Sequence, residues 1–316
     1  MVLTRDNPFL ILANAASGSA DAGEEHARIT DTLAAAGQRF ELLPVRNPKE
    51  LPAMAKQAAL RAQREQGAVI VAGGDGTINA AVQAVLPTGR PFGIVPQGTF
   101  NYSSRAHGIP LETVAATRAL IDASLKPVQV GLVNERVFLV NASLGLYSQV
   151  LQDREAYKQQ LGRHRAVAML SGLMTLLRGY RQLALHVEYD NRREVLITPS
   201  LFVGNNPLQL QQVGLPEADA VQHRRLAAII VKPVGTAALL GLAVRGALGQ
   251  LGAADNIRDF AFARMTVNPA ERKPTRTRTI KVATDGEIWR ARMPIHFSVA
   301  AKPLLLMTPA TKPRSG

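Results

Sequence analysis

The chain has 316 residues, 47% hydrophobic and 19% charged, which suits two domains with substantial cores and excludes general disorder. Cysteine is absent, which excludes disulfide scaffolds, cysteine nucleophiles and thiolate metal sites together and fits a reducing compartment. The net charge of +13 is uneven: residues 1–130 carry 12 basic and 11 acidic side chains, residues 131–316 carry 25 and 13, a basic field that attracts phosphate polymers and anionic membranes alike or simply aids solubility.

No basic stretch at the start leads into a long apolar one, so no signal peptide is expected. Residues 9–13 read as a strand. Asp21 and Glu24 form an Asp-x-x-Glu helix start, and that helix ends near Gly37. Residues 40–45 are the next strand and 48–64 the next helix, with Pro48 in its first turn. A third strand at 68–72 precedes a helix at 77–86, and a fourth at 92–95 precedes a helix at 110–124. Strand and helix alternating four times predict a parallel sheet with helices on its faces and ligands at the strands' carboxyl ends.

From about residue 128 the pattern changes. Residues 128–133 and 137–144 flank Asn134-Glu135-Arg136 like a hairpin, and 183–189 pairs with 195–203 across a turn beginning at Asp190-Asn191. Further strand-like runs are 226–231, 260–267, 279–283 and 295–299, so the second half reads as mainly antiparallel β. Helical stretches at 149–181 and 235–250 interrupt it, and the tail 308–316 is expected to fray. The longest apolar run, 166–177, reaches about 18 Å as a helix against a hydrocarbon core of about 30 Å, so no membrane span is expected.

The strongest chemical signal is the strand at 68–72 running into Gly73-Gly74-Asp75-Gly76-Thr77 and then the helix Ile78-Asn79-Ala80. Glycines let a bulky anion approach the main chain, while a helix start offers unpaired N–H groups. The spacing is neither a P-loop, lacking the lysine, nor the dinucleotide fingerprint, lacking the third glycine. A carboxylate such as Asp75 beside a polyphosphate suggests phosphoryl transfer through Mg²⁺ or proton acceptance. Spacing alone equally allows a glycine-rich turn with Asp75 bonded to its own backbone. Asn14-Ala15-Ala16-Ser17-Gly18 and Pro96-Gln97-Gly98-Thr99-Phe100-Asn101 occupy equivalent places after the first and fourth strands, and all three loops are expected to converge on one sheet edge.

This ordered set, with Arg105 and Gly108-Ile109-Pro110, resembles the catalytic domain of the diacylglycerol kinase and sphingosine kinase superfamily, and most of all its soluble bacterial lipid kinases. Asn141-x-x-x-Gly145 and Asp285-Gly286-Glu287 are similar to later elements of that family, so the likeness covers nearly the whole chain. The resemblance implies an N-terminal three-layer α/β/α ATP-binding domain over 1–127, with 301–316 a candidate for completing it. It implies a C-terminal antiparallel β-sandwich lipid-substrate domain over 128–300, with the active site in the cleft between them. Gly73, Gly74, Gly76, Thr77, Ile78, Asn79 and Thr99 would cradle ATP, with Asn14, Ser17, Gly18 and Asn101 lining the same site. Glu287 would accept the proton of the lipid hydroxyl, Asp75 would orient Mg-ATP or share that role, and Asp285 would support Glu287. By residue type alone, Asp285-Gly286-Glu287 reads first as an ordinary type I′ turn between strands.

The chain departs from the family pattern. Ala80, Tyr102 and Tyr147 stand where the family commonly has carboxylates, and Leu210 to Gly214 with Arg224-Arg225-Leu226 stand where relatives tend to hold a structural Mg²⁺. Arginine is no metal ligand. The cofactors implied are ATP and Mg²⁺, with no metal held by named protein ligands.

The expected partner is a lipid at an anionic membrane surface, visited transiently by a cytoplasmic protein at the inner face. The stretches 161–181 and 235–250 carry leucines with arginines and suit either such contact or packing on the β domain. The basic segment 272–278 lacks interleaved aromatics, so nucleic acid is not expected. A homodimer is compatible with the sequence, which fixes no oligomeric state. Histidines occur singly, and zinc chemistry is not expected. Two alternatives remain: a kinase for a soluble acceptor such as NAD, and a non-catalytic nucleotide or lipid sensor that lacks the missing carboxylates.

Overall fold

A computed structural model describes residues 3–14, 20–98, 101–146, 182–212, 214–215, 218–221, 223–247, 249–270 and 279–310. The predicted helix 149–181, the basic segment 272–278 and the end of the tail, 311–316, lie outside the described residues. The chain divides into two units, Met1–Val130 with Ala300–Gly316, and Gly131–Val299. It is a mixed α/β structure with several sheets, and its C-terminal part is mostly strands.

The first unit alternates as its sequence predicts: β1 (Phe9–Asn14), α1 (Ala20–Ala35), β2 (Phe40–Val45), α2 (Leu51–Arg64), β3 (Ala68–Gly73), α3 (Asp75–Val85) and β4 (Phe92–Pro96). Every residue of β3 and β4 is buried, which is why these strands read as unbroken apolar runs instead of alternating ones. The fourth strand is followed by two helices, not the single helix expected at 110–124: α4 (Tyr102–Ala106) and α5 (Thr113–Ile121), and then β5 (Ser124–Val128). The Glu112 carboxylate opens α5 by accepting from the Val114 and Ala115 N–H groups at 2.8 and 2.7 Å, and Ser124 already belongs to the next strand.

The second unit begins with β6 (Gly131–Val133), β7 (Arg136–Phe138) and β8 (Asn141–Gly145). The expected single strand 137–144 breaks because the N–H groups of Leu139 and Val140 donate to the Asp285 carboxylate instead of to a neighbouring strand. Then come β9 (Leu183–Tyr189), β10 (Arg192–Thr198) and β11 (Ser200–Gly204). The predicted strand 195–203 is thus two, divided at Pro199, which has no N–H for a ladder. There follow α6 (Pro207–Gln212), α7 (Ala218–Val221), β12 (Leu226–Val231), α8 (Thr236–Ala247), β13 (Ile257–Phe262) and β14 (Arg264–Pro269). The run 260–267 splits at Ala263, whose N–H donates to Asp190 Oδ1 at 3.2 Å. The chain ends in β15 (Thr279–Thr284), β16 (Glu287–Arg292), β17 (Ile295–Val299) and β18 (Leu304–Thr308), so Thr308 closes a strand and is not part of a fraying tail.

The first unit holds one sheet in the order β2-β1-β3-β4-β18-β5, parallel except where β18 meets β5. The second holds two sheets, β10-β9-β14-β17-β6-β7 and β13-β12-β11-β8-β15-β16. One core draws on both: Leu185, Val187 and Phe297 from the first sheet, Leu144, Val203 and Phe262 from the second. In β9 burial alternates, with Leu185, Val187 and Tyr189 inward and Ala184, His186 and Glu188 exposed, the period of two that a half-buried strand requires. A second core, with Leu210, Leu239 and Leu242, lies under α6 and α8. Fully burying one such leucine contributes about 1.5–3 kcal/mol.

Candidate active site

The parallel register sets the carboxyl ends of three strands side by side, with Ala13 level with Ala72, Ala72 with Val95 and Gly73 with Pro96. The loops after β3 and β4 then touch. Gln97 N–H donates to the Gly73 carbonyl at 3.0 Å, and a Cβ on Gly74 would stand 3.4 Å from the Gly98 Cα. Asn101 closes the second loop on itself: its Oδ1 accepts from Gly98 N–H at 3.0 Å and its Nδ2 donates to the Gly98 carbonyl at 2.8 Å. It does so at a φ of 49°, in the left-handed region that asparagine tolerates better than most residues.

Helix α3 starts at Asp75, two residues before the predicted Thr77, because Gly74 in an extended conformation serves as its N-cap. Gly74 brings no side-chain acceptor to the first turn, so that turn keeps the open N–H groups an anion needs. A Cβ on Gly73 would lie 2.9 Å from Thr77 Cβ, so the turn has no room for one. Ile78 is fully buried and Asn79 is 5% exposed, which puts these two side chains beneath the cradle and not on its open surface. Asn14 stands at the end of β1, while Ser17, Gly18 and Thr99 lie outside the described residues.

Asp75 is not bonded to its own backbone in the manner of a simple turn. Burial pushes its carboxyl above the usual range, opposed by the backbone N–H groups of Ser103, Tyr102 and Asn101 at the start of α4. Its Oδ1 is buried without a hydrogen-bond partner. An orphaned carboxylate oxygen beside open N–H groups and tight glycines fits a nucleotide phosphate with its cation. Tyr102, in place of the family's carboxylate, offers Asp75 a main-chain N–H. At the C-cap of α4, burial and then the Lys126 charge hold the His107 imidazole down to about 4, with Nδ1 unpartnered.

In the second unit Asp285 and Gly286 form the two-residue connection between β15 and β16, both at positive φ of 48° and 88°, which is the type I′ turn the dipeptide suggests. The Asp285 carboxylate accepts from Leu139, Val140 and Asn141 N–H groups at 2.7, 2.9 and 2.9 Å. Asp285 thus anchors the turn that leads into Glu287, and the Arg136 side chain meets the Glu287 carboxylate, with Nη2 2.6 Å from Oε2. Arg136 and Glu287 are 151 positions apart in the chain, so no local signal in the sequence could pair them. Asn141 Oδ1 and Ser143 Oγ on β8 are buried and unpartnered.

Among the described residues no group of three or more His, Cys, Asp or Glu side chains could hold a metal. Arg225, expected from the sequence to stand where a structural Mg²⁺ would otherwise be held, pairs with Asp190 and donates to the Ala261 carbonyl at 2.8 Å. The unpartnered Asp75 carboxylate oxygen fits a cation that arrives with a triphosphate.

Residues 8–133 match the diacylglycerol kinase catalytic domain. The diacylglycerol kinase of Bacillus subtilis (strain 168) is 37% identical over 142 residues, 44% of this chain and 45% of that protein. A Pseudomonas aeruginosa protein named "Probable lipid kinase YegS-like" is 40% identical over 109 residues, 33% of this chain and 35% of its own length. The chain spans less than half the length of these curated relatives. A solved structure from Bacillus anthracis str. Sterne, assigned to the diacylglycerol kinases, has a TM-score of 0.73 over 96% of this chain and 97% of that one, at 19% identity, a likeness of fold. The likeness to the diacylglycerol kinase catalytic domain thus lies in residues 8–133.

Proposed function

We propose that the chain is an ATP- and Mg²⁺-dependent lipid kinase that phosphorylates the hydroxyl of diacylglycerol or a related lipid alcohol. The observation that carries this reading is the contact of the loops after β3 and β4, with the orphaned Asp75 Oδ1 beside the open first turn of α3. Bound ATP supplies the γ-phosphoryl group, and Mg²⁺ spreads the charge that builds on it. Gly73, Gly74 and Gly76 would let the triphosphate approach the main chain, with Thr77 and Asn14 lining the same site and Asp75 orienting it. Glu287 takes the proton as the acceptor oxygen bonds to phosphorus and the bond to ADP breaks. Positioning supplies most of the acceleration, because a loose phosphoryl transition state asks little covalent chemistry of the protein.

The proposed lipid domain is the second unit, a β-sandwich in this reading, supported by a core to which both of its sheets contribute. Among the described residues no helix is long and apolar enough to cross a membrane. Access to lipid would instead come from the anionic surface of a bilayer, and α8 exposes Val244 at 59% next to Arg245, apolar and cationic side by side. Mass spectrometry of lipids from cells with and without the chain tests the proposal: a phosphorylated lipid should accompany the chain, and unchanged phospholipids speak against it. The sensor reading draws on the missing carboxylates at Ala80, Tyr102 and Tyr147, and it predicts ATP binding by calorimetry with no turnover on any acceptor.

A further inference from the structure

Glu287 is the first residue of β16, and its backbone is held by pairing with Thr284 and by the anchored Asp285 turn. What remains free is its side chain, which is 50% exposed and, unpartnered, would sample several rotamers. Arg136 removes that freedom through the 2.6 Å contact to Oε2. Arg136 is itself held twice. Its hairpin is fixed where Asn134 N–H donates to the His296 carbonyl at 2.7 Å and Asn134 Oδ1 accepts from His296 N–H at 2.8 Å. Its guanidinium lies 5.1 Å from the Trp289 ring centroid, and that ring is tied by its Nε1, which donates to Thr284 Oγ1 at 3.2 Å.

We propose that Arg136 is the positioning residue that presents the Glu287 carboxylate to the acceptor hydroxyl, with Trp289 holding the guanidinium in place. This rests on the reading of Glu287 as proton acceptor. A half-exposed ion pair contributes little to stability, so a purely structural purpose explains poorly why a guanidinium, a ring and two anchored hairpins converge on one carboxylate. For comparison, Arg193 meets Glu188 at 3.3 Å with its side chain 81% exposed, an ordinary solvated pair.

The test uses the full chain, labelled ATP and dioctanoylglycerol micelles. Glu287→Gln should lower kcat by about 10²–10⁴-fold, the usual range for a lost general base. Arg136→Ala should lower kcat about tenfold with the KM for ATP unchanged, as expected when a reacting group is only misplaced. Arg136→Lys should recover part of the loss, and Arg193→Ala should match the parent chain. Arg136→Ala should add nothing in the Glu287→Gln background, since one residue acts through the other.

Trp289 is the chain's single tryptophan, so its emission reports on Arg136 whether or not turnover occurs. Titration with dioctanoylglycerol should shift that emission in the parent chain and not in Arg136→Ala. If Glu287→Gln is impaired while Arg136→Ala keeps full activity, the inference on Arg136 is overturned and the reading of Glu287 stands. If Glu287→Gln keeps full activity, the reading of Glu287 fails and the inference with it. Losses that multiply in the double variant, or an emission shift that persists in Arg136→Ala, also overturn it.

Discussion

Gly74 and Gly98 meet backbone to backbone: a Cβ on Gly98 would stand 3.0 Å from the Gly74 Cα and 2.8 Å from Asn101 Oδ1. Neither neighbour is the loose end of a flexible side chain. Gly98→Ala must therefore push the two loops apart, at about 1–3 kcal/mol for an overpacked site. The expected outcome is a lower urea midpoint together with at least about tenfold weaker ATP binding by calorimetry, because the cradle and the fold are strained by the same methyl group.

The raised carboxyl of Asp75 gives a pH signature. Its proton is held more tightly in the folded chain than at the ordinary value of 3.8, mainly through burial. Its contribution to stability is thus complete below 3.8 and is lost as the pH rises through the higher folded value. Asp75→Asn lacks that loss. Urea denaturation from about pH 3 to pH 7 should show the variant gaining on the parent chain as pH rises, while ATP binding weakens.

His107 works in the opposite sense. Burial and the Lys126 charge lower it from 6.5 to about 4, so the unfolded chain binds the proton more readily. Its contribution is present above pH 6.5 and is lost as the pH falls towards 4, by up to about 3 kcal/mol. His107→Gln should flatten the stability profile across that window, measured by denaturation at closely spaced pH values.

Asp285 and Glu287 should separate cleanly by stability. Asp285→Ala leaves three backbone N–H groups without their carboxylate, a loss of about 1.5–3 kcal/mol or more. Glu287→Ala removes a half-exposed ion pair and should cost less than about 1 kcal/mol. Thermal melts of the two variants check the order, and equal shifts would speak against the anchoring role of Asp285.

The strands and helices of the first unit are legible in sequence because its buried parallel strands are written as unbroken apolar runs between glycine and proline breaks. The second unit resists reading where the chain passes between sheets. Pro199 and Ala263 each divide an apolar run into strands of different sheets, and apolarity alone marks neither point. At the site, the glycine turn and the Asp285-Gly286 turn are local and could be read. The N–H groups of α4 facing Asp75, and the pairing of Arg136 with Glu287, are long-range and leave no trace in spacing.

The most direct measurement is transfer of label from γ-labelled ATP to lipid in vesicles containing diacylglycerol, with Mg²⁺ present, for the parent chain and for Asp75→Ala. The account predicts a labelled phospholipid with the parent chain and none with the variant. No labelled product across a panel of lipid alcohols, or undiminished product from Asp75→Ala, would contradict it.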